Sequence, residues 1–84
     1  MKILLDENLP AKLKLDFDAE VQVFTAKEKD WNGKKNGELL RLMTNEGFHV
    51  FITMDKNLEY QQNLSKFPVT IFLLRATSIR LFSP

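Results

Sequence analysis

Three carboxylates stand where one divalent cation can bring them together. Asp6 directly follows the apolar run Ile3-Leu-Leu5, Asp55 follows Val50-Phe-Ile-Thr-Met54, and Glu38 opens a segment with helical spacing. If the two runs are neighbouring strands, their acids face each other across one crevice, and a helix packed over it can point Glu38 inward. Acids converging from three elements repel unless a cation lies among them. Oxygen-only ligands suit a hard ion such as Mg²⁺ or Mn²⁺. Such a site orients a water and neutralises charge on a phosphodiester. Each acid also has an ordinary reading: Asp6 and Asp55 can cap short helices, and Glu38 can pair with Arg41 at i, i+3. Glu7 and Glu59 read as solvated surface charges, and His49, alternating within a strand, reads as structural.

Cations and aromatics extend the picture. Lys12, Lys14, Lys34, Lys35, Lys56, Arg75 and Arg80 are available as a phosphate-contacting rim. Lys12, Lys56 and Arg75 are the expected contacts, Arg75 because it follows the last strand at the same sheet edge. Trp31 and Tyr60 have the chemistry to stack on bases, but no aromatic stripe surrounds them, so core or interface anchoring is expected.

The elements that must position these residues follow from patterning. Met1 to Leu5 is a short apolar strand, and Asn8 and Pro10 announce a short helix from about Leu9 to Leu15. Glu20 to Phe24 alternates polar and apolar as an edge strand does. Thr25 to Asn36, with four lysines and Gly33, is a charged surface connection. Glu38 to Glu46 is the clearest helix, stopped by Gly47. Phe48 to Thr53 is a buried strand, Asp55 or Asn57 caps a helix reaching about Leu64, and Val69 to Leu74 is the last strand. This alternation predicts an α/β fold with a mostly parallel sheet in the order 2-1-3-4. Asp6 and Asp55 then lie at the carboxyl ends of strands where the order reverses, the place where such sheets bind ligands.

Composition bounds the rest. Eighty-four residues with no Cys and one His predict one domain over 1–84, held by packing, without disulfides or a conventional zinc site. With 44% hydrophobic residues the chain can build a core, and a net charge of +1 leaves nucleic-acid binding to a local patch. The apolar runs are too short for a membrane helix or a signal peptide, so a cytoplasmic protein without membrane contact is expected.

Met1-Lys-Ile-Leu-Leu-Asp-Glu-Asn-Leu-Pro10, Gly37-Glu-Leu-Leu40 followed by Gly47, and Val50-Phe-Ile-Thr-Met-Asp-Lys-Asn-Leu58 together resemble the small bacterial PIN-like proteins long catalogued as a domain of unknown function. The similarity spans nearly the whole chain to Arg75. It implies a three-layer, Rossmann-like fold and Mg²⁺- or Mn²⁺-dependent cleavage of RNA, often within toxin and antitoxin pairs. Asp6, Glu38 and Asp55 match the family's acidic positions. Asn57 stands where many relatives carry a further Asp, so it would offer a neutral amide as a metal ligand.

The resemblance therefore implies a ribonuclease with RNA and an antitoxin-like protein as partners. The alternative is a PIN-like binding module without turnover. A phosphoacceptor receiver shares the Asp6-Glu7 and Asp55 pattern, but it would need a lysine after a fifth strand unit that this sequence does not offer. Residues 76–84 depart from the family, whose members are expected to continue into a covering helix. Ile79, Leu81 and Phe82 in this tail are expected to dock on the sheet or on a second copy, giving a homodimer.

Overall fold

The computed structural model describes residues 1–75, leaving aside the side chains of residues 59, 60, 62 and 63. The expectations for Tyr60, Glu59, Arg80 and the apolar tail lie outside that description. Four strands, β1 (Lys2–Leu5), β2 (Gln22–Thr25), β3 (Val50–Thr53) and β4 (Thr70–Leu73), form one parallel sheet in the order β2-β1-β3-β4. The α/β class and strand order are those the patterning predicts. β1 and β3 hold the centre because their apolar side chains point alternately to two covered faces. Leu4 and Phe51 enter a larger core with Trp31, Leu39, Leu40, Met43 and Phe48, while Ile3, Leu5 and Val50 enter a smaller one with Leu9. Among the described residues, no helix is long and apolar enough to cross a membrane.

The one α-helix among the described residues, α1 (Asn36–Asn45), covers the larger core with buried Leu39, Leu40 and Met43. It begins two residues before the expected Glu38. Its end is a Schellman turn: Gly47 at φ 77° donates its N–H to the Thr44 carbonyl at 3.2 Å, and the Phe48 N–H reaches the Met43 carbonyl at 2.9 Å. Phe48 then packs edge-on against Phe24 and beside Trp31, each at a 5.7 Å centroid separation. Trp31 is thereby a core anchor, as the sequence suggests.

The other two expected helices are 3₁₀ segments. Ala11–Asp16 follows an extended Pro10 and closes through i to i+3 bonds, such as the Leu13 N–H to the Pro10 carbonyl at 3.1 Å. Six residues give an α-helix too few bonds to offset nucleation. The segment after Asp55 divides into Lys56–Tyr60 and Gln62–Lys66 at an extended Gln61, which ends continuous helix there. Leu58 and Leu64, one from each turn, still bury themselves in the larger core.

β4 takes the second edge, as the order 2-1-3-4 places it, and although its sequence is apolar throughout, Phe72 stays 53% exposed. Edge position governs its burial more than composition does. His49 sits at the opposite sheet end from Asp6, exposed, its Nδ1 accepting the Lys2 N–H at 3.0 Å. The structural role expected for it is what this contact provides.

A salt bridge ties the first 3₁₀ segment to the β2–α1 connection, with Lys14 Nζ 2.8 Å from Glu28 Oε1. The Lys14 hydrogen bond, with a second from the Thr25 backbone N–H, holds the Glu28 carboxyl below its ordinary range. A carboxyl lowered on folding adds stability above its unfolded pKa, and that contribution is lost as pH falls through the folded value. Glu28→Gln should thus lower the thermal midpoint at neutral pH and match wild type in strong acid. Thermal unfolding at the two pH values checks the sign, and the half-exposed setting keeps the effect small.

Candidate functional site

All four strands are parallel, so their carboxyl ends share one edge of the sheet, and the order reverses between β1 and β3. Asp6 leaves β1 there, its N–H still donating to the Ile52 carbonyl at 2.9 Å. Asp55 leaves β3 two residues past Thr53. Both half-buried acids line a single depression of about 480 Å³, together with Glu7, Asn8, Lys34, Lys35 and Asn36. The sequence expectation that Asp6 and Asp55 meet at the reversal describes this placement.

Thr53 connects them. Its hydroxyl, on a side chain with no exposure, donates to Asp6 Oδ2 at 2.6 Å and accepts the Asp55 N–H at 3.0 Å. The Glu7 N–H donates to Asp6 Oδ1 at 2.8 Å, the Asn57 N–H to Asp55 Oδ1 at 3.0 Å, and Asn36 Nδ2 to Asp55 Oδ2 at 3.2 Å. Every carboxylate oxygen of the pair thus accepts one hydrogen bond. A carboxylate oxygen has two lone-pair directions, so each retains acceptor capacity for a cation. Asn8 Oδ1 accepts the Met54 N–H at 3.4 Å, linking the two strand ends rather than capping the first helical segment.

Glu38 lies elsewhere. Its side chain is about half exposed and pairs with Lys34 Nζ at 3.0 Å, four residues back and just ahead of α1, instead of with Arg41. It lines a neighbouring groove, and among the described residues no three acidic, His or Cys side chains form a ready metal cluster. Asn57 contributes its backbone N–H to Asp55, and its side chain is exposed. Lys12, Lys56 and Arg75 are exposed around the sheet's carboxyl end but do not line the depression, which takes its cations from Lys34 and Lys35.

Glu7 and Asn36 are the participants that pattern reading misses, while Thr53 enters only through the resemblance, as the threonine of the Thr53-Met-Asp55 segment. Glu7 lines the depression while its Oε1 accepts the Gly33 N–H at 2.9 Å, at a glycine whose φ of 82° few other residues adopt. By residue type alone Thr53 reads as an ordinary β-former and Asn36 as a loop residue. An oxygen-only set of two carboxylates with amide neighbours fits a hard divalent cation in donor chemistry. No family model matches the chain, and neither a curated protein nor a solved structure matches it.

Proposed function

We propose that the protein is a ribonuclease dependent on Mg²⁺ or Mn²⁺, with Asp6 and Asp55 as the residues that hold the ion. The observation that carries this reading is the Thr53 hydroxyl joined to both acids at the strand-order reversal. The PIN-like resemblance of the opening decapeptide and of the Thr53-Met-Asp55 segment supports the same activity. When bound, the ion would neutralise phosphodiester charge and orient a water. Thr53 fixes the Asp6 carboxylate, Asn36 and the Asn57 backbone fix that of Asp55, and Lys34 and Lys35 draw a phosphate toward the pair. Glu38, held by Lys34, stands outside the proposed ion-holding pair. The reading includes cytoplasmic RNA as substrate, with an antitoxin-like protein and a second copy as partners.

A binding module without turnover is the second reading, favoured by the outward Glu38 and the amide at Asn57. A cleavage assay on a single-stranded RNA with Mn²⁺ separates the two. Wild-type cleavage that falls roughly a hundredfold or more in Asp6→Asn supports the enzyme, since metal-assisted hydrolysis supplies several kcal/mol of barrier. Cleavage gained only by Asn57→Asp supports the binding module.

A further inference from the structure

Beside the acidic depression a second groove of about 560 Å³ runs between α1 and the 3₁₀ turn Gln62–Lys66. Lys35 and Gly37 line both hollows, so the two adjoin. Lys35, Arg41 and Lys66 supply three cations along this groove. Its one acid is Glu38, whose charge Lys34 offsets at 3.0 Å. Among the described residues no salt bridge engages Lys35, Arg41 or Lys66. Arg41 lies five residues beyond the Lys35–Asn36 boundary, about 7.5 Å along the axis at about 1.5 Å per residue. The cations are therefore spread along a path instead of gathered at a point. Buried Leu64 and half-buried Phe67 form the apolar floor, and Lys66 Nζ lies 5.4 Å from the Phe67 ring centroid.

We propose that this groove is the track for a single-stranded nucleic acid, with Lys35, Arg41 and Lys66 on successive phosphates and Phe67 offering its ring to a base. The inference rests on the ribonuclease reading for what happens at the track's end and supplies the direction from which the strand arrives. A chain with net charge +1 has no global attraction for a polyanion, so a local file of unpaired cations is how it would bind one. An acidic peptide would also meet the three cations. It has no flat base to set against Phe67.

Fluorescence anisotropy with a labelled oligouridylate, in EDTA so that no metal contributes, tests the track. Three single-strand phosphate contacts give a slope of log K on log salt near about −2.1, and thus roughly a twentyfold loss between about 50 and about 200 mM salt. In Arg41→Ala/Lys66→Ala one contact remains, and the loss over that range should shrink to about threefold. Phe67→Leu keeps the apolar floor and should weaken binding about fivefold with the slope unchanged. Lys27→Ala, on the exposed β2–α1 connection, should bind as wild type does.

The proposal is overturned if the double variant keeps the wild-type slope. It is equally overturned if Lys12→Ala/Arg75→Ala removes the slope instead, or if polyglutamate displaces the oligouridylate at lower concentration than unlabelled RNA does. An unchanged Mn²⁺ response at Asp6 and Asp55 together with a failed groove refutes the track alone. A groove that binds with no such response refutes the catalytic reading alone.

Discussion

Phe51→Ala is expected to lower stability by about 3 to 5 kcal/mol, the range for emptying a fully buried aromatic site. Phe51 has no exposure and sits at the middle of β3, in register with Leu4 on one side and Ile71 on the other. It belongs to the core that unites Leu39, Leu40 and Met43 of α1 with Leu58 and Leu64 of the 3₁₀ turns. Backbone pairing fixes the strands on both flanks, so the cavity can collapse only partly. A chain of this length has a total stability of roughly 4 to 13 kcal/mol, so the variant should be marginal at room temperature. Urea unfolding reads the loss directly. An unfolding free energy within about 0.5 kcal/mol of wild type, the range of ordinary surface changes, would mean that Phe51 does not organise this core.

Thr53→Val has the second large effect, and it falls on function. Valine keeps the shape and removes the hydroxyl, so Asp6 Oδ2 loses its 2.6 Å donor and the Asp55 N–H loses its acceptor. Groups that orient metal-holding carboxylates typically contribute 10- to 100-fold in metal affinity, and a loss of about that size is expected for Mn²⁺. Stability should fall by about 1 kcal/mol, because a part-buried N–H is left without a partner. Thr53→Ser returns the hydroxyl and should recover most of the affinity. Water-proton relaxation during Mn²⁺ titration measures all three proteins. Equal affinity in wild type and Thr53→Val would leave the threonine a purely structural residue.

The sequence made the sheet legible because its signals are short-range. Ile3-Leu-Leu5 has no polar face to expose, Glu20 to Phe24 does, and that contrast is enough to set β1 inside and β2 at an edge. Asp6 and Asp55 could be paired because parallel strands place all carboxyl ends together. The direction of Glu38 was not readable, since it depends on where the helix begins. With α1 starting at Asn36, successive residues turn by about 100°, and Glu38 lies about 200° around from the residue that reaches Asp55. Moving a helix start by two residues exchanges which side chain faces the crevice. The choice of 3₁₀ over α turned on segment length and on Gln61, and the coverage of β4 turned on its neighbours, neither of which a local pattern records.

Asp6 and Asp55 as the holders of one cation form the central claim, and a Mn²⁺ titration followed by amide resonances tests it most directly. Paramagnetic broadening reports proximity to the ion without requiring turnover. The account predicts that the signals of Asp6, Glu7 and Asp55 broaden first and saturate together, and that Asp6→Asn and Asp55→Asn each abolish the selective response while remaining folded. Broadening centred on any other part of the chain, or none that is selective for these residues at millimolar metal, would contradict it.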